Sequence, residues 1–142
     1  MSRARILLAD DNASILERVA SLLSTEFDVV ATVGDGQAAL DAIARLKPDL
    51  AVFDVSMPVM SGLEAAAALG GTDRPPRVVF LTIHEDQEFV DAARRAGAVG
   101  YVLKRDMFSA LLPAVMEALS ARPQFLEPVL EPPVPPRQAR SS

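Results

Sequence analysis

Short apolar runs recur along the chain, and each is followed by a segment with helical periodicity. The runs are 5–9 (RILLA), 28–33 (DVVATV), 50–53 (LAVF), 77–82 (RVVFLT) and 99–103 (VGYVL). Three of them are apolar almost throughout rather than alternating, which marks strands buried on both faces. The second carries Thr32 and suits an edge position.

The intervening segments are amphipathic. Ile15, Val19, Leu22 and Leu23 fall on one helical face, and Asn12 is a fitting cap before them. In 35–46 (DGQAALDAIARL), Ala39, Ile43 and Leu46 share a side, with Gly36 at the preceding turn. The segment 62–71 (GLEAAAALGG) reads as a short alanine-rich helix closed by glycine. The segment 85–97 (EDQEFVDAARRAG) opens with acids and ends on Arg94, Arg95 and Gly97. That order matches the helix dipole and a glycine terminus. Phe108, Leu111, Leu112, Val115 and Leu119 line a last helix, with Asp106 as its cap. Pro113 sits inside that pattern, where it removes a backbone donor and predicts a kink or a late start.

Strand and helix thus alternate five times. This predicts an α/β fold: a parallel sheet with helices on both faces and right-handed crossovers. Five strands fit the doubly wound order 2-1-3-4-5. The segment 122–142 differs in kind. It holds six of the eleven prolines, a composition that favours extended backbone over a packed core. It reads as a disordered tail or linker after a domain over 1–121, although proline-rich segments can also dock on other proteins.

Composition narrows the classes. A chain of 142 residues, 50% hydrophobic, suits one domain with a real core. The net charge of -5 argues against a nucleic-acid surface, which needs clustered Lys and Arg. There is no cysteine, hence no disulfide, thiolate chemistry or Cys-based zinc site. The N-terminal apolar run is too short for a secretory signal and ends in two acids. No stretch approaches the roughly 18 apolar residues of a membrane span. These features predict a cytoplasmic protein with no membrane partner.

Candidate chemistry lies where the strands end. In a parallel sheet those ends gather on one edge, and ligands bind there at the point of strand-order reversal. Asp10 and Asp11 follow the first run and Asp54 follows the third; Thr82 closes the fourth and Lys104 follows the fifth. Two carboxylates about 4 Å apart repel by roughly 4 kcal/mol at an effective dielectric near 20. A hard divalent cation with oxygen ligands relieves that, and Mg²⁺ suits carboxylates, water and phosphate oxygens. With Lys104 beside it, the edge reads as a phosphoryl site. Each piece alone has a plainer reading: a cap, a turn residue, a strand threonine, a solvated lysine. Their convergence on four strand ends is the stronger signal.

These residues resemble the receiver domain of two-component response regulators, most nearly the NarL type, whose fold is flavodoxin-like. The matching pieces are ADD (9–11), GDGQAAL (34–40), FDVSMPVMSGLE (53–64), LTIHED (81–86) and GAVGYVLK (97–104), in order and at the family's spacing. The resemblance implies that Asp54 accepts a phosphoryl group from a histidine kinase or phosphotransfer protein. It implies that Asp11 binds Mg²⁺ directly, Asp10 mainly through water, and that Asp54 and the Ser56 carbonyl complete the protein ligands. Mn²⁺ is an alternative ion. Lys104 would pair with the phosphoryl oxygens and Thr82 would turn its hydroxyl toward them. Tyr101 would then rotate inward and alter the surface of the fourth helix, fifth strand and fifth helix. Ser56 and His84 occupy positions that tune phosphoryl lifetime.

Two positions depart from the pattern. Arg105 stands where many receivers have proline, which puts the isomer of the Lys104–Arg105 bond in question. Ile83 is bulkier than the small residue usual beside the threonine. The leading function is therefore a phosphorylation-controlled switch, not a metabolic enzyme, acting on a downstream protein or through a phosphorylation-dependent homodimer. A second is a receiver piece of a DNA-binding regulator whose output domain is not among these residues, which themselves bind no nucleic acid. A third, an aspartate-nucleophile phosphohydrolase, lacks a spare acid to protonate a leaving group.

Overall fold

The computed structural model describes residues 3–130. Five strands, β1 (Arg5–Ala9), β2 (Asp28–Val33), β3 (Leu50–Phe53), β4 (Arg77–Thr82) and β5 (Gly100–Leu103), form one sheet of order β2-β1-β3-β4-β5. All four pairings are parallel, as the alternating pattern predicts. The helices are α1 (Ala13–Leu23), α2 (Gly36–Leu46), α3 (Gly62–Leu69), α4 (Gln87–Arg95) and α5 (Met107–Ala118). A short 3-10 turn over Lys104–Asp106 leads into α5.

The two-residue repeat of each strand splits the core in two. Ile6, Leu8, Leu50 and Val52 pack with Val19 and Leu23 of α1 and Leu111 and Val115 of α5. Leu7, Ala9, Ala51 and Phe53 pack on the other face with Ala39 and Ile43 of α2, Ala65 and Leu69 of α3, and Val90 of α4. Strands β1, β3 and β4 are buried along nearly their whole length, whereas β2 is half-exposed, as its edge place requires. β5 is also at an edge in the strand order, yet all four of its residues are buried.

Local chemistry sets the helix starts. Asn12 Oδ1 accepts from the Ile15 amide at 3.1 Å, the expected cap. Asp35 Oδ1 does the same for Ala38 at 2.7 Å. Ser61 and Glu64 form a reciprocal capping box at 3.1 and 2.9 Å. At the other end of α5, Arg77 Nη1 donates to the carbonyls of Ala118, at 2.7 Å, and Ser120.

α5 corrects two expectations and narrows a third. Asp106 makes no side-chain cap bond; its carboxylate lies 3.7 Å from Arg105 Nε instead. Phe108 is 66% exposed, and Met107 is buried in its place. The buried stripe is Met107, Leu111, Ala114, Val115 and Ala118. Pro113 lies within a helix that begins at Met107, so the start is not delayed past it; the Ser109 carbonyl, four residues back, loses its donor there. The Lys104–Arg105 bond is trans.

Two glycines allow close approach. A Cβ on Gly36 would lie 2.3 Å from the Met60 carbonyl oxygen, and one on Gly62 would lie 1.9 Å from that of Asp54. The Gly62 amide also donates to the Val55 carbonyl at 2.8 Å, which folds the β3–α3 loop back on itself. Gly62→Ala is therefore expected to destabilise the fold by about 1–3 kcal/mol, read as a lower urea midpoint. Unchanged stability would show that the loop gives way without cost.

Within the segment expected to be a tail, Gln124–Leu130 contact the domain. Leu126 forms a parallel bridge with Gly100, and Phe125 and Leu130 pack against the core. The rest of the proline-rich expectation, 131–142, lies outside the described residues.

Candidate functional site

Parallel strands deliver their ends to one edge, and the edge carries Asp10, Asp54, Thr82 and Lys104. The backbone holds two of the acids at the break between β1 and β3. The Asp10 amide donates to Val33 and the Asp54 amide to Ala9, each at 3.0 Å. Asp10, Asp54 and Thr82 are the buried polar residues among those described, at 4%, 7% and 0% exposure. Asp11 is exposed beside them.

The charged groups converge. One carboxylate oxygen each from Asp10, Asp11 and Asp54 lies within 4.8 Å of the others. Lys104 Nζ contacts Asp10 Oδ2 at 2.8 Å and Asp54 Oδ2 at 3.1 Å. Asp10 Oδ1 accepts from the Asn12 amide at 2.8 Å. Asp54 Oδ1 accepts from the Ser56 amide at the longer distance of 3.4 Å.

Burial pushes the Asp10 carboxyl up from its usual range; hydrogen bonds from Lys104 and Asn12 pull the other way, and Asp54 pushes with the burial. For Lys104, burial alone would lower the ammonium, but Asp10 and Asp54 outweigh it and the net is upward. The lysine is thus held charged between two acids. One cation among three carboxylates leaves net negative charge at the mouth, which suits a hard cation with oxygen ligands.

The remaining expected residues line the same edge. A cleft is bounded by Asp11, Asn12, Asp54, Ser56, Ile83, His84, Lys104 and Arg105. Ile83, 70% exposed, stands on its rim. Ser56 Oγ and His84 Nε2 are hydrogen-bonded at 2.9 Å, which ties the β3–α3 and β4–α4 loops together. Thr82 Oγ1 accepts from the His84 amide at 3.4 Å.

Tyr101 differs from its expectation. The inward position assigned to the phosphorylated state is already taken: Tyr101 is 1% exposed and its hydroxyl donates to the His84 carbonyl at 2.8 Å. Burial, then the charges of Asp54 and Asp86, push its phenol well above the usual range, so it stays a donor.

Two sets of contacts here had no clear sequence signal. Phe89 stacks on the His84 ring at 4.2 Å. Arg105 pairs with Glu85 across the cleft wall and donates to the Val129 carbonyl at 3.4 Å.

The model of the response regulator receiver domain family matches residues 6–116. The transcriptional regulatory protein PdtaR of Mycobacterium tuberculosis is 38% identical over 117 residues, 82% of this chain and 57% of its own. The signal receiver domain of NarL from Mycobacterium tuberculosis superposes with a TM-score of 0.81 at 32% identity, covering 86% of this chain and 100% of that one. A LuxR-family two-component response regulator from Aurantimonas does so with a TM-score of 0.81 at 31% identity, over 87% and 89%. The chain spans about half the length of the curated relatives it matches. Among the described residues, no helix is long and apolar enough to cross a membrane. The sheet order, the acids on its carboxyl edge and the match over residues 6–116 together make this chain a member of the response regulator receiver domain family.

Proposed function

We propose that this chain is a phosphoryl-accepting switch with Asp54 as acceptor. The observation that carries the reading is the convergence of three carboxylates with Lys104 bonded to two of them. An Asp54 carboxylate oxygen attacks the phosphorus of a phosphohistidine on a kinase or phosphotransfer protein; a P–O bond forms, the P–N bond breaks, and the imidazole leaves with its electron pair. Asp10, Asp11, Asp54 and the Ser56 carbonyl would hold Mg²⁺, which when bound supplies positive charge to the phosphoryl oxygens. Mn²⁺ shares that oxygen-ligand preference. Lys104 follows the charge from the Asp54 carboxylate to the phosphoryl group, and Thr82 rotates from the His84 amide to meet it.

The output is a population shift. The inward Tyr101 fits an arrangement already sampled before phosphorylation, which the aspartyl phosphate then favours. The affected surface is that of α4, β5 and α5, read by a downstream protein or by a second copy. The reading is tested by label transfer from a phosphorylated kinase domain. Transfer that needs Mg²⁺, is stopped by chelator and yields a hydroxylamine-labile product is expected. A label resistant to hydroxylamine would contradict an acyl phosphate.

Ser56 and His84, bonded to each other, line the cleft that water must enter, and Phe89 stacks on the His84 ring. His84→Ala is therefore expected to speed loss of the phosphoryl group several-fold, and Ser56→Asn with His84→Glu to change it further. A decay rate unchanged in both variants would remove these residues from the tuning role.

A second reading has one observation in its favour. The curated relatives are named transcriptional regulatory proteins, and this chain matches about half of each. In that reading the same switch controls a DNA-binding output.

A further inference from the structure

An edge strand exposes unpaired backbone groups unless something covers them. β5 is such a strand, and residues 124–130 cover it. The Tyr101 amide donates to the Leu126 carbonyl at 3.1 Å, and the Leu126 amide to Val99 at 3.3 Å. Side chains two apart on an extended segment share a side, and here both meet Arg94. Its guanidinium lies 4.5 Å over the Phe125 ring and 3.1 Å from Glu127 Oε2. The Gln124 amide donates to Glu117 Oε2 at 3.1 Å.

The attachment is shallow. The Arg94–Glu127 pair is about half-exposed on each side, and such pairs are worth little. The rest is two backbone bonds at β5, the Gln124–Glu117 and Arg105–Val129 bonds, one ring contact and the outer packing of Phe125 and Leu130. Pro128 follows at once and has no amide, so no longer ladder forms. The segment is thus seated on β5 without being built into the sheet.

We propose that the outer edge of β5, with Arg94 beside it, is a docking surface for an extended peptide running parallel to β5. Its ligand carries an aromatic and a carboxylate two residues apart, and residues 124–130 are its intramolecular occupant, which a partner displaces. The surface is part of the α4, β5 and α5 face of the proposed function and deepens that reading, but the proposal rests on the tail contacts and not on Asp54. Tyr101 joins the two: its side chain holds the His84 loop and its amide holds the tail.

Amide hydrogen exchange on the full chain, without Mg²⁺ or phosphodonor, tests this. Phe125→Ala with Glu127→Ala removes both of these side-chain partners of Arg94, and of the core it touches only the outer packing of Phe125. Tyr101 exchange is expected to speed up by about tenfold or more in this variant, while Ala9 and Phe53 in the central strands do not change. A peptide of residues 122–130 at several millimolar, the effective concentration of a short tether, is expected to restore the protection. It should fail to do so once Arg94→Ala is added. Tyr101 exchange equal in the parent and the double variant would overturn the proposal, as would a peptide that restores nothing. Protection that rises with protein concentration would assign the tail to a second copy and overturn the intramolecular arrangement. None of these outcomes depends on whether Asp54 accepts a phosphoryl group.

Discussion

Replacing Lys104 with alanine is expected to slow phosphoryl uptake on Asp54 by about two to three orders of magnitude. The ammonium sits 2.8 Å from Asp10 and 3.1 Å from Asp54, so it is already placed where negative charge will shift. A donor fixed in a buried site needs no reorganisation as the charge moves. Without it, the Asp54 carboxylate is left with the long Ser56 amide contact at 3.4 Å, and two carboxylates face each other without their cation. The lysine has its ordinary value at 10.5 and is raised in the fold. Its contribution to stability is therefore complete below 10.5 and is lost only as pH rises through the higher folded value. At neutral pH the contact is intact, and the variant isolates it. Single-turnover phosphorylation by a small phosphodonor, followed at several donor concentrations, gives the rate. A rate within about twofold of the parent would remove Lys104 from the reaction.

Asp11→Ala is expected to abolish the thermal stabilisation that Mg²⁺ gives the parent chain. Asp11 is exposed, unlike Asp10, so its loss leaves the core alone and removes a ligand at the open side of the cluster. An ion at about 100 times its dissociation constant stabilises by about 2.7 kcal/mol, which is several degrees in a domain of this size. The check is a Mg²⁺ titration followed by thermal unfolding. An equal shift in the variant would mean the ion binds elsewhere.

Asp10 adds a pH dependence to that result. Its carboxyl is raised above its ordinary 3.8, chiefly by burial. The native state therefore holds this proton to higher pH than the unfolded chain does. That contribution to the metal-free chain is complete below 3.8 and fades as pH rises through the raised value. Mg²⁺ stabilisation runs the opposite way, shrinking as pH falls and the proton competes for the carboxylate.

Much of this architecture is legible in the sequence because its signals are local or periodic. The run at 50–53 is apolar throughout and the run at 77–82 is apolar between Arg77 and Thr82, and they become β3 and β4, two of the strands that end at the site. Their last or next residue is polar, and parallel topology alone then carries Asp10, Asp54, Thr82 and Lys104 to one edge. Asn12 as the α1 cap is equally local. The last helix is harder. Met107 and Phe108 are both apolar neighbours, so periodicity leaves the phase open by one residue; packing on β4 and β5 buries Met107 and leaves Phe108 outside.

Contacts between distant residues are the least legible. Arg94 is a sensible end to α4 on dipole grounds, but nothing nearby in sequence says that Phe125 and Glu127 sit on it. The proline content of the tail describes its backbone tendency and is silent on what an open β5 edge will accept. The inward Tyr101 is hidden in the same way. It is set by a hydrogen bond to the His84 carbonyl, 17 positions earlier in the chain.

Intact mass measured after incubation with Mg²⁺ and a small-molecule phosphodonor tests the central claim most directly. The parent chain is expected to gain the mass of one phosphoryl group, and Asp54→Ala is expected to gain none under the same conditions. The same gain in Asp54→Ala would contradict the account, because the acceptor would then lie elsewhere.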